Sequence, residues 1–162
     1  MENSHREMNE IYQIINPLLG QRAWNVSLGV GNFVTMNFGE LYSVAVNENH
    51  GGWLLWIYGY GWYIENPKDR NIGSEDPRDL LRLAVSIFEG RVLERVEISP
   101  IAFETNFILD SSLVLHIFPL TFINDPDSWM LFTPERKVLI LNSTGEWSYR
   151  MTNSKPAEPN LE

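Results

Sequence analysis

The chain has no cysteine, which excludes a disulfide framework, a thiolate metal site and a cysteine nucleophile. It has only three histidines, and none belongs to an H-E-x-x-H or H-x-x-x-H pattern. We predict that one of them, His116, is a strand residue with one hydrogen-bond partner. No serine lies in a G-x-S-x-G elbow, and no Walker loop occurs. We therefore expect no catalytic residue, no metal, no cofactor and a non-enzymatic protein.

Long apolar runs are also missing. None approaches the roughly 20 residues that a membrane-crossing helix needs. The first ten residues, MENSHREMNE, lack the apolar region of a signal peptide. These absences predict a cytoplasmic protein without a membrane partner. The remaining composition, 44% hydrophobic and 20% charged over 162 residues, is typical of one folded domain.

Basic residues are scarce and unevenly placed. The chain has 21 acidic and 12 basic residues and a net charge of −9. No Lys or Arg lies between Arg22 and Lys68 or between Arg95 and Arg136, although acidic residues occur in both intervals. Such a surface repels nucleic-acid phosphates and attracts a basic protein or a cation. We expect a basic protein as partner and no nucleic acid; solubility alone is the alternative explanation of the acidity.

The chain resembles itself when it is shifted by 70 residues. The shift aligns Gly20, Val26, Leu28, Phe33 and Thr35 with Gly90, Val96, Ile98, Phe103 and Thr105. After small length changes, Trp53-Leu54-Leu55-Trp56 aligns with Trp129-Met130-Leu131-Phe132. Apolar residues at helical spacing precede each glycine, so each copy should begin with a helix. We predict two tandem copies of a helix plus antiparallel β-meander unit, over about residues 8–66 and 76–150.

Local signals give the expected boundaries. Pro17 should break the first helix near Asn16, and Asp76-Pro77 should begin the second with Asp76 as N-cap. Short links favour hairpins and therefore antiparallel pairing. They lie at 29–32, 110–111 and 134–136. The strands expected in copy one lie near 22–28, 32–38, 41–46, 53–58 and 60–65.

The expected fold class is α+β, with two tandem copies forming one pseudo-two-fold domain over residues 1–152. Two meanders would share one core, the helices would cover an outer face, and Trp147 and Tyr149 would close the core. Residues 153–162 contain two prolines and few apolar side chains, so we predict a flexible C-terminal tail.

The segment WLLWIYGYGWYI, residues 53–64, is apolar on both faces. Strand alternation puts Trp53 on one face and Trp56 and Tyr58 on the other. A central strand pair that is covered on both sides explains this pattern. Alternatively, Trp53, Trp56 and Tyr58 form a binding surface or a homodimer interface, because Trp and Tyr are enriched at interaction hot spots.

Two polar loops occupy matching places in the two copies. One contains Glu48 and His50, and the other contains Asp125 and Asp127. If the pseudo-dyad brings the loops together, these side chains would form a binding site for a small molecule or a divalent cation. Ordinary turns also use Asn, Asp, Gly and Pro, so the loops have a purely structural explanation as well.

Five segments resemble a family of small, functionally uncharacterised bacterial proteins. They are GVGNFVTMNFG (29–39), WLLWIY (53–58), FP (118–119), WMLFTP (129–134) and WSY (147–149). The resemblance covers about residues 18–150, and the chain departs from the family pattern at Asn32 and Met36. The resemblance implies the same helix-plus-strands unit and a role as an immunity protein for a secreted bacterial toxin. It assigns no catalytic residue.

Overall, the sequence predicts a binding protein that neutralises a basic partner through an acidic face. A pocket between the two polar loops and a homodimeric structural or regulatory module are the alternatives.

Overall fold

A computed structural model of the chain describes residues 2–45, 48–120 and 128–152. These residues form two helices, α1 (Glu2–Ile15) and α2 (Arg78–Ser86). The strands are β1 (Ala23–Leu28), β2 (Val34–Ala45), β3 (Glu48–Tyr58), β4 (Gly61–Glu65), β5 (Ile72–Gly73), β6 (Leu93–Ile98), β7 (Thr105–Leu109), β8 (Leu113–Phe118), β9 (Ser128–Phe132), β10 (Lys137–Asn142) and β11 (Trp147–Met151). All paired strands are antiparallel, which confirms the α+β class.

Two sheets contain these strands. One has the order β1-β2-β3-β9-β10-β11, and the other has the order β5-β4-β8-β7-β6. Three consecutive strands of each half form a meander in one sheet, and the chain then crosses to the other sheet. As a result, β9 pairs with β3 and β4 pairs with β8. Each sheet is therefore built from both halves of the chain.

Two strand predictions are wrong. The expected strands at 32–38 and 41–46 are one strand, β2, with a register shift between Phe38 and Leu41. The strands at 53–58 and 60–65 do not pair with each other, because the chain turns at Gly59 and Tyr60 and enters the second sheet. The predicted hairpins at 29–32, 110–111 and 134–136 are confirmed, since they join β1 to β2, β7 to β8 and β9 to β10.

The helix boundaries agree only partly with the sequence. The break at Pro17 is confirmed, since α1 ends at Ile15 and a 3₁₀ turn spans Asn16–Leu18. Asp76 is not the N-cap of α2. Pro77 holds that position, and the Asp76 carboxylate instead accepts the Gly73 N–H at 2.8 Å. No helix among the described residues is long and apolar enough to cross a membrane.

One core lies between the inner faces of the two sheets. Phe107 of β7 meets Trp129 of β9 edge to face, with ring centroids 5.4 Å apart. The apolar stripes of both helices join this core through Ile11 and Ile15 of α1 and Leu81 and Val85 of α2. The predicted position of the helices over an outer face is therefore wrong.

Each helix instead lies beside the edge strands of the sheets. α2 contacts β1 and β5, which are edge strands of different sheets. α1 approaches edge strand β6, where the Tyr12 hydroxyl accepts the Ile98 N–H at 2.8 Å. The amphipathic helices thus close the core where the sheets end.

The two sheets are joined where β1 and β6 begin. Four main-chain hydrogen bonds form this junction: Gly20 N–H to Leu93 O (2.7 Å), Gly90 N–H to Ala23 O (2.7 Å), Ala23 N–H to Arg91 O (2.8 Å) and Leu93 N–H to Gln21 O (2.9 Å). A shift of 70 residues relates the donors of the first two bonds to each other, and those of the last two. Gly20 and Gly90 both have the left-handed backbone that glycine adopts without strain, with φ of +89° and +79°.

We expect Gly20→Ala and Gly90→Ala to lower the free energy of unfolding by similar amounts, about 1–2 kcal/mol each. The reason is conformational, because an added Cβ would have no atom of the described residues within 4 Å at either position. Urea unfolding measures both losses. Ile101→Ala, at a side chain that is 80% exposed, should change stability by less than about 0.5 kcal/mol. A glycine variant as stable as this control would contradict the assigned conformation.

Candidate functional site

A groove of about 670 Å³ lies between α1 and the six-stranded sheet. Its walls come from α1 and the turn that follows, from β3, from the β9–β10 turn and from edge strand β11. The volume lies in the range of ligand pockets, roughly 300–1,000 Å³. The groove is therefore large enough for a small molecule or for the side chains of a partner protein.

The floor of the groove is aromatic and apolar. Trp53 points from β3 toward the core and is only 7% exposed, while Tyr149 of β11 and Ile14 of α1 are half-buried. The Tyr149 ring has the Lys137 ammonium 5.1 Å from its centroid. This cation–π geometry shows that the ring already attracts a positive charge within the protein.

The Tyr149 hydroxyl is held only weakly. It lies 3.5 Å from a Glu135 carboxylate oxygen and 3.4 Å from the Thr133 hydroxyl. Both distances are at the long end for O–H···O hydrogen bonds, whose usual range is about 2.5–3.0 Å. The hydroxyl can therefore turn toward a ligand at little cost.

The rim of the groove is acidic. Glu10 on α1 and Glu135 in the β9–β10 turn are both exposed. Gln21 also lines the groove, and its amide donates one Nε2 N–H to the Pro17 carbonyl at 3.0 Å, while its Oε1 can act as an acceptor. None of the described lining residues is Lys, Arg or His. The groove thus combines an aromatic floor with negative charge and hydrogen-bond acceptors.

A smaller cavity, of about 210 Å³, lies beside α2. It is bordered by the segment between β4 and β5, as the larger groove is bordered by the β9–β10 turn. Apolar side chains of α2, among them Leu80 and Leu83, line it. The two charged residues in its described lining, Asp69 and Arg70, have opposite signs, so that lining favours neither a cationic nor an anionic ligand.

The structure separates the predicted aromatic site. Trp53 lies in the groove, whereas Trp56 and Tyr58 lie on the opposite, outer face of β3. On that face Tyr58 is 39% exposed and its ring lies 4.4 Å from that of Phe33 and 6.2 Å from that of Trp56. These three predicted residues therefore belong to two different surfaces.

The other predicted site residues belong to the polar loops. The backbones of Glu48 and His50 are part of β3 and pair with Ala45 and Tyr42 of β2. Their side chains, and all of Asp125 and Asp127, lie outside what the structure describes. The meeting of the two loops stays a prediction.

His116 belongs to a polar cluster on the outer face of the five-stranded sheet. Its Nδ1 lies 2.6 Å from the Asn106 Oδ1, and its Nε2 lies 3.1 Å from a Glu65 carboxylate oxygen. The prediction of a single partner is therefore wrong. The ring stacks on Tyr63 with centroids 4.3 Å apart. Among the described residues, no group of three or more His, Asp or Glu is arranged to hold a metal ion.

Sequence reasoning missed most of the groove. Glu10 and Glu135 lie in no recognised motif, and Tyr149 was expected only to close the core. Glu10 and Tyr149 lie near opposite ends of the chain, so local patterns could not connect them. The available signal was the position of Thr133 and Tyr149 within the WMLFTP and WSY segments.

No protein-family model, curated protein or solved structure matches the chain. The resemblance to a bacterial family stays a prediction, and the groove has to be interpreted from its own chemistry.

We expect Tyr149→Phe to change the free energy of unfolding by less than about 0.5 kcal/mol, because the lost hydroxyl contacts are long. The matched variant is Tyr60→Phe. The Tyr60 side chain is 4% exposed and its hydroxyl donates to the Ala102 carbonyl at 2.8 Å, so we expect a loss of about 1–2 kcal/mol. Urea unfolding compares the two. Equal losses would show that the Tyr149 hydroxyl is as firmly held as that of Tyr60.

Proposed function

We propose that the protein is a non-enzymatic cytoplasmic binding protein whose groove receives a positively charged segment of a basic protein. In this proposal it neutralises that partner, as an immunity protein neutralises a toxin. The observation that carries the proposal is the groove itself, which is lined by the aromatic side chains of Trp53 and Tyr149 together with the carboxylates of Glu10 and Glu135.

The two parts of the groove would serve different steps of binding. The exposed rim carboxylates, in a chain of net charge −9, attract a basic partner and speed the encounter. The largely desolvated aromatic floor then contributes most of the affinity, as Trp and Tyr do at interaction hot spots. Salt should therefore slow association more than it speeds dissociation.

The lining also favours binding over catalysis. Nucleophilic catalysis needs a nucleophile within hydrogen-bond reach of a base. The described lining contains two hydroxyl groups. Thr133 Oγ1 donates to the Lys137 carbonyl at 3.3 Å, and the Tyr149 hydroxyl lies 3.5 Å from a Glu135 carboxylate oxygen, which is longer than the usual O–H···O hydrogen bond. Neither a histidine nor a lysine lines the groove in the described part of the chain, and the two carboxylates are on separate walls.

A charge-reversal experiment tests the groove as the contact site. The probes are those proteins encoded by the neighbouring genes that carry a net positive charge, with binding measured by calorimetry at low and high salt. We expect Glu10→Lys combined with Glu135→Lys to weaken binding at least about tenfold, which corresponds to about 1.4 kcal/mol. Both residues are exposed, so the fold should be retained.

The matched control combines Glu75→Lys with Glu94→Lys. These two residues are exposed and do not line the groove, and the change in net charge is the same. We expect at most about a threefold loss of affinity, because only the long-range attraction changes. Equal losses in the two double variants, or binding that is insensitive to salt, would refute the groove as the contact site.

We also infer that the two halves are tandem copies related by a pseudo-two-fold axis. Three observations support this inference. Hydrogen bonds at the β1–β6 junction are related by a shift of 70 residues, the two sheets have matching strand orders, and a cavity lies beside each of α1 and α2. The strand order favours matching β3 with β8, instead of β3 with β9 as the aligned tryptophans suggest. A difference above about 1 kcal/mol between Gly20→Ala and Gly90→Ala would count against equivalent roles for the halves.

The outer face of the six-stranded sheet favours a second candidate function, a homodimeric module. This face retains accessible apolar surface, because Tyr58 is 39% exposed and Trp56 and Met130 are only half-buried. On the same face, the Trp56 indole N–H is buried without a hydrogen-bond partner among the described residues. The central positions are uncharged: Leu54, Trp56 and Tyr58 of β3, Met130 and Phe132 of β9, and Val138 and Ile140 of β10. In so acidic a chain, two copies repel least at an uncharged face.

Sedimentation velocity at micromolar concentration tests this candidate. We expect a dimer that Met130→Arg converts to a monomer, because a buried unpaired charge opposes face-to-face packing of the sheets. Ile108→Arg places the same charge on the outer face of the five-stranded sheet and should leave the dimer intact. A monomeric wild-type protein would exclude the homodimer.

A further inference from the structure

We propose that the groove is an arginine-binding site, in which one guanidinium group of the partner lies over the aromatic floor between the two rim carboxylates. This inference rests on the function proposed above and names the side chain that the groove selects. It predicts discrimination between arginine and lysine, which the acidic rim alone would not provide.

The hydrogen-bonding groups of the groove match a guanidinium better than an ammonium. Guanidinium presents five N–H donors in a planar fork, whereas a lysine ammonium presents three around one point. The groove offers acceptors on several sides: the carboxylates of Glu10 and Glu135, the Gln21 Oε1 and the Tyr149 hydroxyl oxygen. Acceptors on several sides of a cavity can each receive a hydrogen bond from a guanidinium, because its N–H groups point in several directions within one plane.

The aromatic floor adds a second basis for selectivity. A guanidinium plane stacks on aromatic rings and is more weakly hydrated than an ammonium, so it loses less on entering an apolar site. Trp53 is already 7% exposed and belongs to the core, which holds its ring in place before a ligand arrives. Ile14 and Pro17 supply apolar surface for the methylene stem of an arginine.

The Lys137 ammonium provides a second way to test cation binding at the Tyr149 ring. Its ammonium lies 5.1 Å from the Tyr149 ring centroid, although Lys137 does not line the groove. One resident cation thus already interacts with the ring, and it repels a second cation. Removing its charge with Lys137→Met should strengthen the binding of an arginine ligand about two- to fivefold.

The experiment uses three capped tripeptides with glycine on both sides of arginine, lysine or citrulline. Citrulline has nearly the shape of arginine without its charge. The readout is the indole N–H signal of Trp53 in NMR spectra of the full chain, assigned with Trp53→Phe. We expect saturable shifts with the arginine peptide at a Kd on the order of millimolar, at least about threefold weaker binding of the lysine peptide, and none of the citrulline peptide.

Two double variants show whether the shifts of the Trp53 signal arise from peptide binding in the groove. Glu10→Gln combined with Glu135→Gln should abolish binding of the arginine peptide, and Glu75→Gln combined with Glu94→Gln should leave it unchanged. Both pairs keep the size of the side chains and change net charge equally. Retained binding in the first pair would overturn the site.

The outcomes separate this inference from the proposed function. If arginine and lysine peptides bind equally, or if no peptide shifts the Trp53 signal while the basic protein still binds with salt dependence, the arginine site is wrong and the proposed function stands. If neither the peptides nor the basic protein bind, both are wrong.

Discussion

The crossing of each half of the chain from one sheet to the other is the constraint on which the rest of the structure depends. β9 extends the first meander beside β3, and β4 extends the second beside β8. Without these strands, β3 and β8 would be sheet edges with unpaired backbone groups. The crossing also places Trp62 of β4 and Trp129 of β9, which are 1% and 0% exposed, in the core formed with the opposite half. Backbone pairing and core burial are therefore satisfied together, and only by the whole domain.

The groove is a consequence of this arrangement. α1 buries its apolar stripe beside the ends of the sheets and stops at Pro17, so a space remains between the helix and strands β3 and β11. The floor residue Trp53 shares the core, while the rim residues Glu10 and Glu135 are exposed. Changes at the rim should therefore affect recognition with little effect on folding, and changes at the floor should affect both.

Short-range signals accounted for what the sequence predicted correctly. A proline ended α1, and three- to five-residue links made hairpins, because both effects act within a few residues of backbone. The wrong predictions concern residues or strands that had more than one possible hydrogen-bonding partner. Asp76 could cap a helix or hold a turn, and its carboxylate bonds the Gly73 N–H. The segments at 53–58 and 60–65 could pair with each other, yet each found a partner strand from the other half. The sequence pattern does not show which partner is chosen, because the alternatives differ in contacts between residues that are far apart along the chain.

The sequence by itself determined the α+β class, the antiparallel meanders, the end of α1 and the acidity of the chain, because residue type and spacing set each of these locally. It also singled out Trp53 as a candidate binding residue. Only the tertiary structure decided that Trp53 and Trp56 face different surfaces and that Trp53 shares a groove with Glu10, Glu135 and Tyr149. The physical reason is distance along the chain. These residues come from α1, β3, the β9–β10 turn and β11, and the burial of one shared core is what brings them together.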